Sequence, residues 1–482
     1  MTPSHTEPAV EFEAVVKSDC PTCQLIWPAL QQLIDAGCSL SIYYQDTAEF
    51  PPIGVPLKDD TSLAHSWVRD IETVPTLLRI EEGEETDRRV GWVKQEWQDI
   101  SGVADLAESL PAYQPGCGSR TREPGMPARL RARYAGDSLY ARSIHTPAGI
   151  DPIEYCYDQG WSDGLPLVPP TPERVMAMLE GTDRDPGEQL GDVPPDLATV
   201  NIEKVAINAV MAGCKAEYLP VVIAAVQAVL SDEFCMHGLL ATTYFSGPMV
   251  IVSGSRGRLI GMNSGVNALG QGNRANATIG RALQLVIRNI GGGRPGGIDR
   301  AALGNPGKYT FCFAEAEDAD WTSLREEQGF RKAASCVTVF AGDGVQGVVD
   351  QKSRDPESLC RSFAASLVVV GHAKMVMAAD AFLVITPEHA RVFHAAGWSK
   401  QRVLERLAEL LMRPGEELIS GALGMAEGIP SKYRNELLPK FREGGLNIVR
   451  AGGSAGMFSA IIAGWGASGN LGSSPVTVEI GT

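Results

Sequence analysis

Cys20, Pro21, Thr22 and Cys23 form the one C-x-x-C of this chain. Sulfurs at this spacing can close into a small disulfide and reopen, as two-electron exchange between thiols requires. The motif follows an apolar run ending at Val16 and opens a helix-like stretch. Cys20 therefore stands where a helix dipole and free N–H groups stabilise a thiolate, which makes it the expected nucleophile and Cys23 the resolving sulfur. A third thiol, Cys117, begins Cys117-Gly118-Ser119, just ahead of Arg120 and Arg122, two cations expected to lower its pKa. On residue types alone the pair could instead be half of a thiophilic metal site, or inert. No second C-x-x-C exists to complete a metal site, and no metal ligand set is assigned.

A second constellation runs from Gly261 to Asn276 and carries Asn263, Ser264, Asn267, Asn273, Arg274 and Asn276 among its glycines. It leads into a helix expected over 278–290, where Ile279, Leu283, Val286 and Ile290 share an apolar stripe and Arg274, Arg281 and Arg288 recur every seven residues. A glycine-rich turn entering a helix presents N–H groups to an anion, and neighbouring arginines can clamp a carboxylate or phosphate. The G-x-G-x-x-G spacing is missing, so no dinucleotide site is assigned. Two readings stay open: a tight loop whose Asn side chains cap turns, or a substrate site. Gly-rich segments at 291–297, with Arg294, and 304–308, with Lys308, favour one pocket shared by three loops.

Other signals are weaker. Cys235, His237, His372, His389 and His394 cannot be placed together from the sequence. Cys156, Cys214, Cys312, Cys336 and Cys360 lie in apolar contexts and read as packing residues. Asp158 and Asp163 sit in a turn-like composition.

The elements that must hold these residues follow from periodicity. Residues 10–16 read as strand, 24–35 as helix, 40–44 as strand, 61–70 as helix, 76–80 and 88–93 as a hairpin, and 95–106 as a closing helix. This defines a compact α/β domain over 10–110. Residues 111–149, rich in Pro and Arg, read as a linker wrapping the acidic body of the protein. Residues 150–482 read as a larger α/β domain of two comparable halves. Helices at 202–211 and 220–230 precede a buried strand at 248–253, and a helix at 359–377 precedes one at 381–386. A Gly-Trp-Ser occurs in each half, at 160–162 and 397–399, without establishing a repeat.

Val74-Pro75-Thr76 opens an apolar strand after the second helix. With Cys20-Pro21-Thr22-Cys23 and the order of elements, this makes residues 10–110 resemble the thioredoxin and glutaredoxin family. The resemblance implies a cis-proline at Pro75 that faces the two cysteines and shapes the surface where a partner thiol docks. Ser18-Asp19 replaces the aromatic-glycine pair usual before the motif, which fits a dedicated donor to one target better than a general reductase. Cys117-Gly118-Ser119 and the segment 160–170 resemble uncharacterised bacterial proteins named for a U-G-S-C motif, with Cys117 in the selenocysteine position and Arg120 replacing the last cysteine. That resemblance implies thiol or selenol chemistry.

Composition bounds the function. At 482 residues, two or three domains are expected, since domains average roughly 150 residues. A net charge of -16 disfavours nucleic acid and anionic membrane as partners. The start of the chain shows no signal-peptide pattern, and ten cysteines are too few for a disulfide scaffold, so a cytoplasmic location is expected. The leading reading is a thiol-dependent oxidoreductase whose dithiol supplies electrons to chemistry on a small polar, anionic substrate. Its one redox group is the Cys20–Cys23 disulfide, restored by an external dithiol, and its oligomeric state is open. The alternatives are a non-redox lyase or hydrolase with a thiol-maintaining or redox-sensing first domain, or a protein that binds a thiophilic metal or metalloid.

Overall fold

In β1 (Val10–Val16), Phe12, Ala14, Val15 and Val16 are all buried, as expected of a central strand covered on both faces. The computed structural model describes residues 10–134, 139–318, 320–465 and 472–481. Residues 1–9, where the absence of a signal pattern was read, and Asp137 of the basic stretch lie outside the described residues. The chain divides into two units, Met1–Ser138 and Leu139–Thr482.

In the first unit, β1 leads through Cys20 into α1 (Pro21–Leu25) and α2 (Trp27–Asp35). The single helix expected over 24–35 is interrupted at Ile26 because Pro28 has no N–H with which to continue the ladder. The unit continues with β2 (Ser39–Tyr44), β3 (Leu57–Asp59), α3 (Ala64–Val68), β4 (Thr73–Val74), β5 (Thr76–Glu81), β6 (Glu84–Val90), β7 (Trp92–Val93) and α4 (Lys94–Ser101). The sheet order is β3-β2-β1-β5-β6, parallel from β3 to β1 and antiparallel from β1 to β6. Glu82 and Gly83, at φ 52° and 85°, make the tight turn between β5 and β6. Two cysteines at the helix start beyond β1 and a cis Val74–Pro75 bond ahead of β5 complete a thioredoxin-like arrangement.

Residues 111–134, expected as linker, are instead woven into this unit. β8 (Tyr113–Gln114) pairs with β7, and β9 (Cys117–Gly118) pairs with β4. α5 (Met126–Tyr134) packs on α3, with Leu130 buried and the Tyr134 hydroxyl donating to the Ser62 carbonyl at 2.9 Å. Strands of two residues leave no periodicity to read in the sequence.

The second unit begins with α6 (Pro152–Asp158), α7 (Pro172–Leu179), the hairpin β10 (Gln189–Val193) and β11 (Ala198–Asn201), α8 (Ile202–Ala212), α9 (Leu219–Val229) and α10 (Met236–Ala241). Then come β12 (Gly247–Ser253), α11 (Ser255–Leu259), α12 (Arg274–Asn289), β13 (Cys312–Ala314), α13 (Leu324–Glu327) and β14 (Cys336–Val349). The remainder is α14 (Pro356–Leu367), β15 (Ala381–Ile385), α15 (Pro387–Ala395), α16 (Lys400–Leu410), β16 (Met412–Pro414), α17 (Gly415–Leu418), β17 (Leu437–Pro439), β18 (Leu446–Arg450), β19 (Phe458–Gly464) and β20 (Val476–Glu479).

The sheet runs β13-β12-β14-β19-β15-β18, with β20 on β14. In one half, β12 is parallel to β13 and antiparallel to β14; in the other, β15 is parallel to β18 and antiparallel to β19. The halves join where β14 and β19 pair antiparallel, which makes one continuous sheet from the two comparable patterns. α9 lies on β14 and β20 with α8 and α12 packed against it, and every residue of α9 but Gln227 is buried. An all-round apolar helix belongs inside a protein or a membrane. Among the described residues no helix is long and apolar enough to cross a membrane.

Candidate functional site

The turn before the cysteines is fixed by Ser18. Its N–H donates to both carboxylate oxygens of Asp46 at 2.9 and 2.8 Å, and its hydroxyl donates to Asp46 at 2.8 Å. Ser18, in place of the usual aromatic residue, thus ties the loop to the end of β2. Cys20 caps α1, its sulfur accepting the Cys23 N–H at 3.4 Å, and Pro21 occupies the first turn where no donor is needed. Cys20 Sγ also lies 3.6 Å from the Val74 carbonyl oxygen.

Cys117 comes to the same place. β9 pairs Cys117 with Val74, immediately before Pro75 and on the residue whose carbonyl oxygen meets Cys20 Sγ. Thr22 Oγ1 donates to the Pro115 carbonyl at 2.6 Å and the Ser119 N–H donates to the Glu72 carbonyl at 2.8 Å, so the strand is held on both sides of Cys117. Gln45 adds a further tie, donating to Ser119 Oγ at 2.8 Å and accepting the Arg120 N–H at 3.0 Å. Cys20 and Cys23 have no exposed surface, while Cys117 is half-buried.

The three sulfurs divide the charge unequally. The Cys23 thiol hydrogen bond, working against burial and aided by the Cys117 thiol and the N–H groups of Cys23 and Thr22, lowers the Cys20 pKa to about 5. Burial and the neighbouring Cys20 push Cys23 far upward. Burial and Cys20 also raise Cys117, contrary to the expected lowering by arginine. Arg120 pairs with Glu123, and Arg122 with Glu72 and Asp70, so neither is spent on the thiol; the cation acting on Cys117 is Lys17.

The second constellation behaves differently. Asn273 caps α12, its side chain accepting the Asn276 N–H at 3.0 Å and donating to the Gly261 carbonyl at 2.8 Å. Asn276 is buried and donates to the Asn263 carbonyl at 2.9 Å, while the Asn263 and Asn267 amides close turns onto Val266 and Gln271. Ser264 accepts the Gly452 N–H through its carbonyl, and Arg274 donates to the Gly213 carbonyl at 2.9 Å. Arg281 makes a two-point pair with Asp163, 2.8 Å on each arm, and outweighs burial in lowering that carboxyl's pKa.

A cavity of about 490 Å³ does open beside α12, but it is lined from the segments 291–297 and 304–308. None of Asn263, Ser264, Asn267, Asn273, Arg274, Asn276, Arg281 or Arg294 lines it, so the expected single pocket of three loops is not what the fold builds. The Asn side chains are consumed in holding their own loop. Arg288, Asp299 and Asn305 line the cavity instead. The seven-residue arginine spacing marks Arg288 and the glycine-rich segment 304–308 marks Asn305 and Lys308, which also lines the cavity, while Asp299 carries no pattern that a sequence could announce.

His389 is buried between Ser459 Oγ and the Asp350 carbonyl, His372 accepts the Lys374 N–H, and His394 lies beside Asp320, so the histidines do not converge. Asp318, Asp320 and His394 bring ligand atoms within 4.8 Å of one another, but both aspartates are exposed and Asp318 pairs with Arg450. Cys156, Cys214, Cys312, Cys336 and Cys360 are buried, and burial raises each pKa.

No family model matches this chain, and no curated protein does. Among solved structures, the crystal structure of StoA from Bacillus subtilis matches with 19% identity over 20% of this chain and 85% of that chain, at a TM-score of 0.17. The thioredoxin-like assignment of the first unit stands on its strand order and on the placement of Cys20, Cys23 and Pro75.

Proposed function

We propose that this protein is a cytoplasmic thiol-disulfide oxidoreductase in which Cys20 and Cys23 deliver two electrons by way of Cys117. The electrons serve chemistry on a small polar, anionic substrate of the second unit. One observation carries the relay: Cys117 is paired with Val74, next to Pro75, and the Val74 carbonyl oxygen lies 3.6 Å from Cys20 Sγ. The strand bearing Cys117 thus sits where a docked partner thiol is expected in a fold of this kind.

When Cys117 is oxidised to a disulfide with a small thiol, the Cys20 thiolate attacks the Cys117 sulfur and the small thiol leaves with a proton. A Cys20–Cys117 bond results. Cys23 then attacks Cys20, its proton passes to the departing Cys117 sulfur, and the products are a Cys20–Cys23 disulfide and a Cys117 thiol. An external dithiol restores the pair by becoming a disulfide itself. The raised pKa of Cys117 suits it to receive that proton.

Treating Cys23→Ser protein with oxidised glutathione should trap a Cys20–Cys117 disulfide, read by peptide mapping. Trapping only a glutathione adduct, or nothing, overturns the relay. A second reading is favoured by the absence of any cysteine from the cavity lining: a non-redox lyase or hydrolase whose first unit only maintains or senses thiols. Turnover that persists when Cys20 and Cys23 are replaced selects that reading.

A further inference from the structure

The cavity beside α12 has apolar walls from Met236, Leu240 and Ile287, and its size suits a small organic molecule. Its charges do not balance. Two carboxylates line it, and each already has a cation: Asp163 holds Arg281 in the two-point pair, and Asp299 accepts from Lys308 Nζ at 2.7 Å. Arg288 also lines the cavity, yet among the described residues it makes neither an ion pair nor a hydrogen bond, and its Nε is buried without a partner. Arg288 as a whole is half-buried, and even partial withdrawal of a guanidinium from water without a partner costs free energy. Burial and the nearby Arg294 both disfavour the charge on Arg288, and Asp163 offsets part of that.

A second polar group is left unmatched in the same lining. The Asn305 amide donates to the Phe245 carbonyl, while its Oδ1 is buried with no donor. That oxygen has no accessible surface, and a Cβ on Gly307 would lie 2.7 Å from it, so it is packed within the 304–308 segment rather than open to the cavity. The unmet group of the lining is therefore Arg288, which calls for an anionic oxygen on the ligand.

We infer that the cavity binds a small carboxylic acid, its carboxylate on Arg288 and its apolar body against Met236, Leu240 and Ile287. A guanidinium presents two parallel N–H groups to a carboxylate, a match that an ammonium does not offer. This names a substrate class for the second unit and rests on the proposed function only in calling the ligand a substrate. Binding requires no thiol chemistry, so its failure and the failure of the disulfide trap are separate results.

The test is calorimetric titration of the full chain with 2-hydroxybutyrate, 2-hydroxyhexanoate and 2-aminohexanoate, with hexane-1,2-diol and inorganic phosphate as comparisons. At least one acid should bind and the diol should not. Arg288→Gln should raise the dissociation constant at least tenfold, and Arg288→Lys should lose less. If Arg288→Gln does not fold, Asn305→Asp, nearly isosteric and anionic, should abolish acid binding. Absence of binding by all three acids, equal binding by the variants, or binding of phosphate alone overturns the assignment.

Discussion

The neighbouring Cys23 and Cys117 thiols both favour the anion at Cys20, so the negative charge of the reduced site is confined there, and the pH behaviour follows from that. A free thiol ionises near ~8.5, whereas Cys20 does so at about 5. The folded value is the lower one, so ionisation stabilises the reduced folded protein. That contribution is fully present above the free-thiol value and is lost as pH falls through about 5. Thiolate absorbance of reduced protein should therefore rise between about pH 4 and 6, and that step should vanish in Cys20→Ser. Cys117→Ala removes one donor to the thiolate and should shift the midpoint upward without abolishing it. A midpoint that stays put in Cys117→Ala would show that the third thiol does not act on the first. Stabilising the reduced form also makes the Cys20–Cys23 disulfide easier for an external dithiol to reduce and the dithiol itself a weaker electron donor.

At the scale of elements, reactivity is limited by cover rather than by ionisation, because Cys20 has no exposed surface while β9 is in place. Gly116 makes that close approach possible: a Cβ there would lie 2.4 Å from Thr73 Cγ2 and 2.9 Å from the Val74 carbonyl oxygen. Gly116→Ala should cost about 1–3 kcal/mol through overpacking and lift the strand from Val74. Limiting iodoacetamide, read by mass spectrometry, should then label Cys20 at least tenfold faster than in the wild type. Unchanged labelling in a folded variant would mean that something other than β9 shields the sulfur. The same strand shows where sequence reading reaches its limit. Apolar runs such as 248–253 and 381–386 announced β12 and β15 because burial on both faces leaves a composition to read. Cys20 and Cys23 were legible from their spacing, and Pro75 from the family resemblance that Val74-Pro75-Thr76 carries. β8 and β9 were not, since two residues carry no period and their partners lie about 20 and 40 positions away. Arg274, Arg281 and Arg288 have the same spacing and three different fates: a carbonyl contact, an ion pair and a cavity wall. Only the packing around α12 distinguishes them.

For the whole molecule the question is whether thiol chemistry and anion binding are one activity or two. Each candidate site is complete within one unit: the three cysteines belong to Met1–Ser138, and every residue lining the cavity belongs to Leu139–Thr482. The first unit has its own core around Phe12, Trp27, Trp92 and Trp97. The second has cores centred on Phe363 and Phe393 and on Phe340 and Phe382. Units with their own cores can fold alone. Residues 1–138 expressed separately should therefore keep the low-pH thiolate step and, as Cys23→Ser, the Cys20–Cys117 trap. Residues 139–482 should keep acid binding and its dependence on Arg288. If the activity is single, neither fragment alone should turn over a bound carboxylic acid. The full chain should do so only while an external dithiol is supplied, and Cys20→Ser should abolish turnover with the acid's dissociation constant unchanged. Full-rate turnover by residues 139–482 without dithiol would instead make the second unit a lyase or hydrolase in its own right. The first unit would then be left the task of keeping thiols reduced.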